Sequence, residues 1–590
     1  MMRSRIKTLL LPCAAVMLLH SAWAADPPAP PADPAGPPTA VDIAKLKAQL
    51  DEQQKLIEQL RAALATQQKM LEQIVVASTT HAAPERKSQS LGETASAVPM
   101  ILPAPVTTPA RAPLTFPDPL PARPAAPQPA AAAPMSSPLQ IRLGDIGITP
   151  VGFMDATAFV RDKNPGSGIG SSFGSIPYNT GATGKLSEFR FSPQNSRIGF
   201  RVDGEYKGAR FIGYNEFDFL GTSGSNAIGV SNGGFVPRLR LFWVDVRKDQ
   251  FEILAGQSWS MLTPNRKGIS ALPGDVFFSQ TIDVNYMAGL TWTRQPGVRF
   301  LYHPNDQVTV GLSLENPNQY IGGSAGGSSI VFPAALTGLS GTQFDNGLST
   351  GTNTAPVGAA APLATPNLHP DIILKLAFDP NPHVHFEVAG IERTFKDWNI
   401  TTGTPTSGQR FTKVGAGGSV NGNFEITKGF RLITNNYWSD GGGRYLFGQA
   451  PDLVVRSDGS ISPIHSGGAV EGFEWTVGNT LVYGYYGGIY IGRNVALDAN
   501  GTTLVGYGYR GSANSQNRAI QEGTIGLNRT IWKDPKYGAL NFMAQYEYLT
   551  RDPWSVIANA AGLYPPKATH DNTVYLNLRY TLPGAPPPVK

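Results

Sequence analysis

The sequence holds one cysteine in 590 residues, Cys13, and it lies in a segment expected to be removed. The mature chain therefore has no disulfide, no thiolate metal site and no cysteine nucleophile. After the amino terminus no apolar run reaches the ~18 residues that a spanning helix needs, which excludes helical membrane spans. No basic run of five to eight residues occurs, and the net charge of +5 falls to +2 once Arg3, Arg5 and Lys7 are gone. Nucleic-acid binding thus has no electrostatic footprint. A Walker-type phosphate loop and HExxH are missing, and no spacing of serine, histidine and a polar partner singles out a catalytic residue. The eight histidines are scattered. His369 precedes Pro370, and His383 and His385 sit two apart beside a turn without an evident third ligand, so neither metal nor cofactor is implied.

What is there divides along the chain. Arg3, Arg5 and Lys7, an apolar run from Leu9 to Leu19 and Ala22-Trp23-Ala24 read as a signal peptide over 1–24, with cleavage expected after Ala24. Residues 25–40 form a Pro/Ala linker that cannot bury a core. Over 41–76 the period becomes 3.5. Ile43, Leu50, Ile57, Leu64 and Leu71 occupy a positions, and Leu46, Leu60 and Ile74 share d positions with Gln53 and Gln67. This spacing predicts an α-helical coiled coil about 48 Å long that oligomerises the chain. A second Pro/Ala-rich stretch, 77–138, reads as a disordered or polyproline-like linker.

From 139 to 583 the texture is uniform. Sixteen alternating segments are predicted, near 146–160, 187–203, 209–219, 238–247, 250–260, 289–303, 307–315, 369–379, 383–395, 411–427, 429–438, 471–482, 484–494, 519–532, 538–550 and 572–582. Alternate links are short and rich in turn residues, such as Arg247-Lys248-Asp249 and Pro304-Asn305-Asp306. The links between them are long and rich in Gly, Ser, Thr and Pro, such as 316–367 and 439–470. In the last strand Val574, Leu576, Leu578, Tyr580 and Leu582 oppose Thr573, Tyr575, Asn577, Arg579 and Thr581. Short turns on one side, long loops on the other and an apolar outer face predict an all-β fold, a 16-stranded antiparallel transmembrane β-barrel followed by a tail at 584–590.

Sixteen strands enclose water, so function turns on the lumen lining. The inward faces of the second to fourth strands offer Arg197, Arg201, Arg210, Glu216, Asp218, Arg238 and Arg240. Guanidinium groups along a wall attract carboxylates and phosphates and hand them on. Between the fifth and sixth strands, 261–288 is long and has no clean period. It reads as a third loop folded inward to constrict the pore, bearing Arg266, Lys267, Asp275 and Asp283. For each charge the competing role is a salt bridge that pins the loop to the wall.

The stretches SEFRFSPQNSRIGFRVDGEYKGARFIGYNEFDF (187–219), PRLRLFWVDVRKDQFEILAGQSWSML (237–262) and NTVYLNLRYTL (572–582) resemble the DcaP-like trimeric porins of Gram-negative outer membranes. The resemblance implies a homotrimer with one pore per subunit, carrying small anionic solutes such as dicarboxylates. It also implies a basic pore lining at Arg197, Arg201, Arg210, Arg238 and Arg240. Many such barrels end on an aromatic residue, whereas here Leu582 and Pro583 precede the tail. On this reading the protein is a channel in the outer membrane with its amino-terminal segment in the periplasm. Its partners are sister chains, membrane lipids, small anions and, through the coiled coil, peptidoglycan or a periplasmic protein. Two alternatives stay open, an envelope tether or adhesin that works through the coiled coil, and a barrel enzyme. Conductance separates the channel from both.

Overall fold

A computed structural model describes residues 137–583, apart from 222–234, 278–279, 324–326, 341–342, 346–366 and 401–407, together with Lys55. The signal peptide, the 25–40 linker, the coiled coil except helical Lys55, the second linker up to 136 and the tail lie outside the described residues.

Sixteen strands close into one antiparallel barrel. They are β1 (Ile146–Arg161), β2 (Glu188–Ser192 and Arg197–Tyr206), β3 (Ala209–Gly221), β4 (Val236–Lys248), β5 (Phe251–Trp259), β6 (Arg294–Asn305), β7 (Val308–Glu315) and β8 (Asp371–Asn381). The second half comprises β9 (Val384–Ile400), β10 (Gly408–Thr427), β11 (Phe430–Asp440), β12 (His465–Val477), β13 (Thr480–Ile491), β14 (Asn517–Asp534), β15 (Gly538–Pro553) and β16 (Thr569–Thr581). Each pairs with the next, and β16 returns to β1 from Phe153↔Thr581 to Arg161↔Thr573. Closure pairs the two outermost strands and leaves no edge between them. A short strand, Ile141–Leu143, folds back on β1 through Gly144 at φ 62°.

The alternation works inside out compared with a water-soluble sheet. In β16 Val574, Leu576 and Leu578 are 46–47 % exposed, while Tyr575, Asn577 and Thr573 are buried. Arg161, Arg201, Glu387 and Arg393 are buried, whereas Phe191, Phe242 and Leu374 stand out on the surface. An apolar outer face with polar groups inside is the pattern of a membrane-spanning barrel. The seven turns at the other end are short. Lys207 and Gly208 both take positive φ, 50° and 74°, the type I′ geometry that matches strand twist.

Many strand ends differ from the sequence reading by a few residues, among them the start of β6 at Arg294 instead of 289, which lengthens the loop expected over 261–288; two of the differences have a visible local cause. The expected strand 187–203 is interrupted at 193–196, because Pro193 has no N–H for the ladder and Ser196 Oγ accepts from the Asp155 N–H at 2.9 Å. The expected turn near 483 is instead Gly478-Asn479, with Gly478 at φ 58°. Gly484 lies inside β13, where a Cβ would meet the Phe473 ring at 2.7 Å. That glycine makes room for an aromatic neighbour and does not end a strand.

Two connecting segments are bonded to the lumen wall. In 260–293 the N–H groups of Met261, Asn265, Ile282 and Ala288 donate to Glu315, Glu387, Gln545 and Glu522. These acceptors belong to β7, β9, β15 and β14. The second segment, 441–464, packs on the first: the Trp292 N–H donates to the Tyr445 carbonyl at 3.0 Å, and Trp292 stacks on Phe447 with ring centroids 4.7 Å apart.

Candidate pore constriction

The charged wall is assembled by strand register. Arg197 on β2 pairs with Asp218 on β3, and Asp218 with Arg238 on β4, so the three side chains share one face. Between Glu216↔Leu241 and Phe217↔Leu239 the β3–β4 register shifts, leaving Arg240 as the extra residue of a β-bulge. Such a bulge re-aims a side chain. Arg240 reaches Glu216 at 2.7 Å, Asp218 at 2.6 Å and the Tyr286 hydroxyl at 3.1 Å. Arg197 lies 3.6 Å from Glu216 and donates to the same hydroxyl at 3.3 Å, and Arg238 grips Asp218 through two bonds of 3.0 and 2.7 Å. Tyr286 belongs to the 260–293 segment, so the wall network also fastens that segment.

Charge in this network does not cancel. Arg197, Arg238 and Arg240 face Glu216 and Asp218, and Arg294 adds a fourth cation. Its guanidinium lies over the Trp259 ring at 5.5 Å, the ring that Arg240 covers at 5.3 Å, and its Nη1 is buried without a hydrogen-bond partner. Four guanidiniums against two carboxylates leave an excess of two positive charges.

Facing this wall is a cavity of about 280 Å³ bordered by Arg197, Arg266, Arg579, Glu216 and Asp283. Arg579 and Arg197 flank Phe153 at 4.1 and 5.2 Å, and the Nε atoms of both are buried without a partner. Arg579 is also paired with Asp155 at 2.6 Å. Arg266 holds Glu474 through bonds of 2.7 and 2.9 Å and covers Phe277 at 5.0 Å. Burial disfavours its charge, but Glu474 outweighs that and holds its pKa above the ordinary value. Asp283 is fully buried and accepts from the Ser171 and Asn285 N–H groups at 2.9 and 2.7 Å. Burial raises its pKa above the ordinary 3.8.

Other expected site residues lie elsewhere. Arg201 is buried against Asp203 at 2.6 Å. Arg210 is half-buried near the turn end, opposite Arg247. Lys267 is exposed and Asp275 bonds Ser270 at 2.9 Å; both border a second cavity. His383 and His385 do not converge, since His383 meets Glu425 while His385 is buried between Asp379 and Glu387. Among the described residues no group of three metal-ligating side chains is arranged to hold an ion.

Arg294, Arg579, Trp259 and Tyr286 are the residues missed by sequence reasoning. Arg579 carries a signal, since it sits on the polar face of the last strand. Only closure brings it beside Arg197, through Phe153↔Thr581 and Phe153↔Arg197.

No protein-family model matches the chain, and no curated protein matches it. Among solved structures, the outer-membrane channel DcaP of Acinetobacter baumannii is 16 % identical with a TM-score of 0.51, covering 74 % of this chain and 97 % of its own. OmpT, an outer membrane protein of Vibrio cholerae, is 10 % identical with a TM-score of 0.39, covering 75 % and 99 %. An anion-selective porin from Comamonas acidovorans is 11 % identical with a TM-score of 0.39, covering 74 % and 100 %. The barrel thus has the fold of the DcaP outer-membrane channel.

Proposed function

We propose that the protein is an outer-membrane porin through which small hydrophilic solutes diffuse passively, with preference for anions such as dicarboxylates. The observation that carries this reading is the unbalanced cluster of Arg197, Arg238, Arg240 and Arg294 against Glu216 and Asp218. Fixed guanidiniums in excess of their carboxylates set up a positive potential that attracts a passing carboxylate, while the paired carboxylates keep that attraction weak enough for release. On this reading 260–293 is the inward third loop, and Tyr286, Arg266 and Asp283 are its attachments to the wall. The 41–76 coiled coil joins three chains in the periplasm, where it meets peptidoglycan or a periplasmic protein.

Conductance of the purified protein in a planar bilayer under a salt gradient tests this. The expected result is steps in groups of three with a reversal potential favouring anions. A silent barrel overturns the porin reading, and a cation-favouring reversal overturns the role given to the arginines.

A further inference from the structure

The tip of the 260–293 segment separates two chambers of opposite character. Pro273, Gly274 and Val276 border the arginine-rich cavity, whereas Leu272 and Asp275 border the second, of about 400 Å³, towards the turn end of β4 to β6. The second chamber has five carboxylates in its lining, against Arg247 and Lys267. Several of its groups already have partners. Asp275 accepts from Ser270, and Glu252 meets His303 at 2.9 Å and Arg247 at 4.0 Å.

Two do not. Asp245 is 6 % exposed and its Oδ1 has no hydrogen-bond partner; Trp243, two residues earlier on the same face, is 5 % exposed and its indole Nε1 likewise has none. Both residues line the chamber. A buried acceptor left unmade is costly, and a carboxylate oxygen more so than a neutral one. Trp243 is held by stacking on Tyr214, 5.4 Å between ring centroids and 18° between planes, so its face is fixed. Arg210, Arg247 and Arg299 lie near enough to act on Asp245, but none of them hydrogen-bonds its Oδ1; a small ammonium group can bring three donors to that oxygen, beside an aromatic ring that attracts cations.

We propose that the chamber lined by Trp243, Asp245 and Glu252 is a subsite for the ammonium group of a small solute, entered after the arginine-rich cavity. The proposal rests on the porin reading. A solute with a carboxylate at one end and an amine at the other meets a complementary group on each side of the 272–276 tip.

The test uses the assembled full-length protein in planar bilayers with 1,4-diaminobutane added from the turn side, and succinate as the comparison. Wild type is expected to show diamine block, and Asp245→Asn to raise the half-blocking concentration roughly tenfold, as losing a charged hydrogen bond implies, while succinate block stays unchanged. Trp243→Phe, which keeps an aromatic ring and removes the unpartnered indole N–H, is expected to leave most of the diamine block intact, and Glu252→Gln substitutes as the acidic variant if Asp245→Asn does not assemble. Equal diamine block in wild type and the acidic variant, or none in either, overturns the subsite. If the protein does not conduct, the porin reading alone fails, and calorimetry of diamine binding to wild type and Asp245→Asn in detergent decides the subsite by the same tenfold criterion.

Discussion

Arg294→Gln isolates charge from architecture. The Arg294 Nη1 has no partner and the side chain enters no ion pair among the described residues, so removing its charge releases no buried carboxylate. A unit charge ~6 Å from a permeating ion in a water-like dielectric of ~80 contributes roughly 0.7 kcal/mol, favourable for anions and unfavourable for cations. The anion-to-cation ratio therefore changes by about 1.4 kcal/mol before screening. With a Debye length of ~10 Å at 0.1 M salt this falls to about 0.8 kcal/mol, roughly fourfold; at 0.01 M, with ~30 Å, it is roughly sevenfold. The assay is the reversal potential of wild type and variant under a threefold salt gradient at both mean concentrations. Anion preference is expected to drop, and to drop further at low salt, with thermal stability unchanged. Equal reversal potentials at the lower salt would refute the idea that the excess charge of this cluster sets selectivity.

Arg240→Leu should behave differently, because it leaves buried Glu216 and Asp218 short of a partner that holds both. Removing one member of a buried network costs about 3–5 kcal/mol, read as a lowered midpoint of heat-induced mobility change in detergent, and an unchanged midpoint contradicts the network. Trp292→Ala removes the stack on Phe447, and truncating a large buried aromatic to Ala costs about 3–5 kcal/mol. It should loosen 441–464 from 260–293, giving larger or noisier single-channel currents; identical traces would show that the stack does not restrain the pore. Burial raises the Asp283 pKa above the ordinary 3.8. The folded protein therefore holds this proton over a range where the unfolded chain has lost it, and stability falls as pH rises from about 4 through the raised value. Asp283→Asn should flatten that part of the stability curve, measured by urea unfolding in detergent at several pH values, and an unaltered curve counts against it.

The bilayer makes one half of this molecule legible and hides the other. A wall facing lipid must be apolar at every second residue, so Val574, Leu576 and Leu578 betray β16, and turns such as Lys207-Gly208 mark where β2 ends and β3 begins. Inside, water and charge tolerate almost any pattern. The bulge that aims Arg240 at both carboxylates shifts register by one residue and leaves no trace in an alternating sequence. Arg579 lies 382 positions from Arg197 by residue number, and only closure makes them neighbours across Phe153. The Gly-rich link 439–470 conceals Tyr445, Leu446 and Phe447, whose apolar cluster in a polar loop signals burial but not its partner. Trp292 supplies that partner from another loop. A barrel's fold is thus dictated by what surrounds it, and its selectivity by contacts between segments that the chain order keeps apart. The net charge of the inner wall follows from which arginines find carboxylates after closure, and Arg294, absent from the arginine ladder read in the sequence, enters no ion pair among the described residues.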